Sequence, residues 1–154
     1  MPSRLAERFP ELPGHDGLAE AIGLEIIECE PELARAIVPI TDTIRQPIGL
    51  VHGGTYPVIA ESLCSWATAV HVYEQGMMAL GQSNSAVFLR PMSGEGHVNA
   101  TARRLHGGRT TWVWETEMTD DDGRLCAVVR MMIAVRPIPP DVQARGVRHP
   151  GTGS

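Results

Sequence analysis

Cysteine is scarce in this sequence and nowhere closely paired. Cys29, Cys64 and Cys126 lie far apart and no CxxC occurs. An odd number of separated thiols excludes a disulfide framework and a cysteine-ligated zinc site, and points to a reduced, cytosolic compartment. No apolar run approaches the length of a membrane span. The opening stretch, MPSRLAERFPELPG, lacks the continuous apolar core of a signal peptide. The histidines show no HExxH or comparable spacing, so no metal site is expected, and no GxSxG is present. Positive charge is also short: 13 Lys and Arg stand against 18 Asp and Glu, for a net charge of −5. That argues against nucleic acid or an anionic membrane as a partner. It leaves room for a few arginines that grip phosphates.

What is there is a globular composition, 43% hydrophobic over 154 residues, enough for one domain with a sizeable core. Residues 1–14 are Pro-rich and charged and are read as a flexible arm. Residues 15–137 form the domain, and residues 138–154, rich in Pro, Gly and Arg, are read as a disordered tail. Within the domain, a short helical turn precedes two strand-like runs parted by Glu30-Pro31-Glu32, a hairpin turn. From Gly54 to about Tyr73, the apolar residues Ile59, Leu63, Trp66, Ala67 and Val70 recur at spacings of three and four, which predicts one long helix. The pattern then changes to period two. Short Gly- and Asp-rich turns, such as DDDG at 120–123, join the later strands and make them antiparallel. One long helix on such a sheet is α+β layering. The last strand is apolar on both faces except for Arg130, so both faces should be covered. One helix covers one of them, which implies an oligomer.

The stretch LVHGGTYPVIAES, residues 50–62, concentrates the chemistry. Gly53 and Gly54 stand at a helix entrance, where unpaired N–H groups and the positive end of the helix dipole meet. Glycine lets a substrate oxygen approach the backbone, and such a donor stabilises an oxyanion. Glu61 lies among Ile59, Ala60 and Leu63, and a buried carboxylate there is costly unless paired or used. Ser65 is one turn further on the same face, and Gln46 precedes the helix. Seven helical residues span about 10 Å. The glycine N–H and the Glu61 carboxylate of one chain are therefore expected to serve two different sites, each completed by another subunit. Cys64, mid-helix with no evident base, reads as core.

Taken together, GLVHGGTYPVIAE, GMMALGQSN, FLRP, GHVNA, TTWVW, DDDGRLCAV and IAVRP resemble the hotdog-fold acyl-CoA thioesterases, in order and at matching spacing over about residues 36–137. The nearest likeness is to the Arthrobacter-type 4-hydroxybenzoyl-CoA thioesterases. The resemblance implies an antiparallel sheet wrapped around one long central helix, and a homotetramer built as a dimer of dimers with sites at the subunit interface. It implies an acyl-CoA substrate and no cofactor. It assigns Glu61 as nucleophile or general base, and the Gly53 N–H as the group that polarises the carbonyl. Gln46 and His52 match family site residues, and Ser65 matches a hydroxyl that places the water or the acyl ring. At the CoA end, Arg90 matches an arginine that contacts the nucleotide phosphates, and Arg109, Thr110 and Thr111 match a turn near the same group. Read without the resemblance, both arginines are solvated surface residues. The rival readings are a hotdog dehydratase or hydratase acting on an acyl thioester, and a non-catalytic acyl-CoA-binding protein.

Overall fold

The computed structural model describes residues 16–145. The chain opens with a short helix α1 (Gly17–Ala21), capped by the Asp16 side chain accepting from the Ala19 N–H at 3.0 Å. The hairpin β1 (Glu25–Cys29) and β2 (Leu33–Pro39) follows, and then a loop with one 3₁₀ turn, Asp42–Ile44. The long helix α2 runs Thr55–Val72. Strands β3 (Met77–Phe88), β4 (His97–Gly107), β5 (Thr111–Thr119) and β6 (Leu125–Pro137) complete the sheet. A last helix, α3, spans Pro140–Arg145.

All six strands form one antiparallel sheet in the order β1-β2-β4-β5-β6-β3. One face packs on α2. Alternation delivers the side chains: Ala34, Ala36 and Val38 from β2, Ala100 and Ala102 from β4, Trp114 and Met118 from β5, and Val129, Met131 and Ile133 from β6 are all buried. The helix lies closest to β3 and β6, and the buried Trp114 of β5 reaches it through Thr68. This is the hotdog arrangement expected from the sequence.

Two expectations need amendment, on the C-terminal tail and on Glu61. The residues 138–154 do not form an unstructured tail throughout, because Ile138 is held to the body by its N–H donating to Gly76 O at 2.9 Å and α3 follows. Residues 146–154, like the arm at 1–14, lie outside the described residues. The second face of β6 is partly covered in the single chain, where Cys126 and Ala134 are buried. Val128 and Met132 are half-buried, and Arg130 is exposed and paired with Glu115 on the neighbouring strand. Glu61 is not buried among its sequence neighbours. Ile59, Ala60 and Leu63 are fully buried while Glu61 is exposed, because about 100° of turn per residue sends adjacent side chains to different faces.

Candidate active site

The site begins at the entrance to α2. His52 is tied down by its N–H donating to Ile44 O at 2.7 Å. Its ring Nδ1 accepts the Gly54 N–H at 2.9 Å, which leaves the proton of a neutral ring on Nε2. The Thr55 N–H donates to His52 O at 2.9 Å. Among the described residues the Gly53 N–H has no hydrogen-bond partner. Of the two glycines, Gly53 is therefore the one with a donor to offer a ligand. A Cβ on Gly53 would meet the Phe88 ring at 3.2 Å, so glycine also makes room for the phenyl group that covers it. Phe88 lies 5.9 Å from the buried ring of Tyr56, centroid to centroid. Burial, reinforced by Cys126 nearby, pushes the Tyr56 phenol up to about 12.

Glu61 stands two turns into α2 and faces β3. One oxygen, Oε2, accepts from Asn84 Nδ2 at 3.3 Å, and the same amide donates to Pro57 O at 3.0 Å. The other, Oε1, lies over Gly81, where a Cβ would sit 2.8 Å away. No cation pairs with Glu61 among the described residues. Sequence reasoning missed Gly81 and Asn84. Their only signal was two residues unsuited to a packed strand, inside the motif GMMALGQSN.

A cleft of about 600 Å³ opens beside the carboxylate, lined along α2 by Val58, Glu61, Ser62, Ser65 and Trp66. Glu61 and Ser65 share it, as their spacing predicts. Asp16 reaches its near wall and accepts the Ser62 hydroxyl at 2.7 Å. Behind the cleft the polar groups are closed off. Thr68 Oγ1 donates to Cys64 O at 2.8 Å and accepts Trp114 Nε1 at 3.0 Å, while Cys64 Sγ sits 3.4 Å from Thr116 Oγ1. Burial drives the Cys64 thiol up to about 12 despite the threonine, so it is core, as read from the sequence.

Gln46 lies half-buried in the loop before α2, its backbone N–H donating to Leu50 O and its carbonyl accepting from the Gly49 N–H, both at 2.8 Å. The CoA candidates are not brought together within one chain. Arg90 is exposed just past β3, its N–H donating to Cys126 O. Arg109, Thr110 and Thr111 are at the β4–β5 turn, where Thr110 O accepts from Val135 N–H. Cys126 and Val135 are nine residues apart on β6, roughly 30 Å of strand.

The model of the thioesterase superfamily matches residues 48–127. The chain is 36% identical to a 1,4-dihydroxy-2-naphthoyl-CoA hydrolase of Listeria monocytogenes, over 78% of this chain and 96% of that one. It is similar to the solved structure of a thioesterase variant of Pseudomonas aeruginosa, with a TM-score of 0.77 at 31% identity, covering 88% of this chain and 93% of that one. It is also similar to a thioesterase of Staphylococcus aureus, with TM-scores of 0.75 and 0.74 at 30% identity, covering 79% and 78% of this chain and 99% and 98% of that one. That enzyme was solved as two variants, a glutamate and a glutamine fifteen positions apart each replaced by alanine. With the sheet, the central helix and these relatives in agreement, the chain belongs to the thioesterase superfamily and is a thioester hydrolase of hotdog fold.

Proposed function

We propose that the protein hydrolyses an aromatic acyl-CoA thioester, of the 4-hydroxybenzoyl-CoA kind, to the free acid and CoA. One observation carries the reading: the Glu61 carboxylate, with no cation paired to it among the described residues, is held by Asn84 over Gly81 and lines an apolar cleft. The fifteen-residue spacing of Gln46 and Glu61 equals that of the two positions altered in the staphylococcal thioesterase. The naphthoyl-CoA named for the Listeria relative supports an aryl substrate.

The thioester carbonyl accepts the Gly53 N–H at the positive end of α2, which draws charge onto its oxygen. His52 holds the neighbouring Gly54 N–H, so the glycine turn keeps its shape. Glu61 then attacks the carbonyl carbon, the C–S bond breaks, and CoA leaves as its thiolate. Water cleaves the resulting anhydride. In the other route Glu61 takes a proton from water as the water attacks. Gln46 and Ser65 place the carbonyl and the water. Because about 10 Å of helix separates Gly53 from Glu61, one subunit supplies the N–H and another the carboxylate. The exposed edge strand β3, with Leu80 and Val87 open to solvent, supports pairing with a second copy. Arg90 of one subunit and Arg109, Thr110 and Thr111 of another hold the CoA phosphates, in a homotetramer.

The assay is thiol release from 4-hydroxybenzoyl-CoA. Stoichiometric CoA and free acid support the reading. An enoyl product without thiol indicates the dehydratase chemistry instead, and an ester that binds yet survives indicates a binding protein. Repeated turnover in ¹⁸O water tests the anhydride route, since label in the Glu61 carboxylate arises only when water attacks the glutamyl carbon of that anhydride. Mixed oligomers of a Glu61→Ala chain and a chain altered at Gly53 regain activity if the site is shared, and stay inactive if it is not.

A further inference from the structure

We infer that the cleft beside Glu61 has room for an acyl group longer than a single ring and favours one, and that Ile138 and Val142 limit its length. The inference deepens the hydrolase reading above and rests on it. Glu61 lies near one end of the cleft. From there α2 continues twelve residues to Tyr73, about 18 Å. Ser65, Trp66, Ala69 and Tyr73 line that stretch, at the spacing of one helical face. Met77 and Met78 of β3 form the opposite wall. A single-ring acyl group reaches about as far as one helical turn, roughly 5 Å, and so ends near Ser65. The polar lining is concentrated there too, with Asp16 and Ser62 beside Glu61. The rest of the 600 Å³ is mostly apolar, and burying apolar surface against it favours a longer apolar group.

Toward the Tyr73 end, Ile138 and Val142 also line the cleft. Ile138 is anchored there by its hydrogen bond to Gly76 O, directly after the turn that follows Tyr73. Both residues lie beyond the 48–127 segment that the superfamily model matches. The stop is thus supplied by the C-terminal segment. The chemistry the cleft recognises is an extended apolar acyl thioester, either a fused-ring aryl group or an alkyl chain.

The test compares kcat/KM of the full-length protein for 2-naphthoyl-CoA, decanoyl-CoA, benzoyl-CoA and acetyl-CoA. One of the two longer esters is expected to exceed the shorter ester of its own type by roughly tenfold or more, and which one does so identifies aryl or alkyl. Val142→Trp, at a position 43% exposed, should lower the ratio of the favoured long ester to its short counterpart by roughly tenfold. Val142→Ala should shift the preference toward still longer esters, and it carries the test if the tryptophan variant does not fold. Hydrolysis with no preference for length, or folded variants that leave the ratio unchanged, overturns the inference while the hydrolase reading stands. Failure of the wild-type protein to cleave any ester removes both.

Discussion

The two faces of α2 share eighteen residues and follow opposite rules. Toward the sheet, Ile59, Leu63 and Ala67 are fully buried, and Cys64, Thr68, Thr116 and Trp114 form a closed run of polar contacts. Toward the cleft, Glu61 has one long hydrogen bond to Asn84 and, among the described residues, no cation paired with it. The first face spends its polar atoms on holding the helix in register with the sheet. The second leaves an ionisable group open to a substrate. In the proposed mechanism, rigidity behind supports reactivity in front.

The largest break comes from the sheet side. Trp114→Ala empties the space beside the helix and removes the donor to Thr68, and should cost about 3–5 kcal/mol of stability. Urea unfolding at equilibrium measures it, and a cost under about 1 kcal/mol would mean that the tryptophan does not hold the helix. On the cleft side, Gly81→Ala places a methyl where the Glu61 Oε1 now lies. Displacing the carboxylate should lower kcat about 10–100-fold with little change in KM or melting temperature. A fall in stability without a fall in kcat would move Gly81 to the packing face. Thr68→Val is subtler. It leaves the buried Trp114 N–H without its acceptor and should cost about 1–3 kcal/mol, while kcat stays near the wild-type value.

The most gradual effect is alkaline. Burial holds Cys64 and Tyr56 protonated to about 12, against 9.0 and 10.0 for the free groups. Above pH 9 the unfolded chain gives up the Cys64 proton first, and above 10 that of Tyr56. The folded state then binds more protons, so stability is complete below 9 and declines as pH rises toward 12. Denaturation midpoints on either side of pH 9 follow this, and Cys64→Ala should flatten the first part of the slope.

Periodicity made the helix and the strands legible, because each element buries a face that repeats at its own period. The HGG-to-Glu spacing likewise pointed to the site. The residues alone did not say which glycine offers its N–H, since that depends on where the His52 ring turns; the choice of Gly53 came from the family resemblance. Gly81 and Asn84 were missed for a related reason. Their closeness to Glu61 exists only once β3 lies beside α2, a contact between distant segments. The apolar neighbours of Glu61 in sequence misled about its burial, because proximity along a helix is not proximity on a face. Proline and glycine in the last residues likewise obscured α3, whose Val142 lines the cleft.

The account turns most directly on Glu61→Gln, with kcat for an aryl-CoA thioester and the melting temperature measured on the same preparation. Glutamine keeps the shape and can still meet Asn84, but neither attacks nor accepts a proton as a carboxylate does. The expected result is a fall in kcat of at least about 10³-fold, with a melting temperature at or above that of the wild type. Turnover within about tenfold of the wild type would contradict the assignment of the chemistry to this face of the helix.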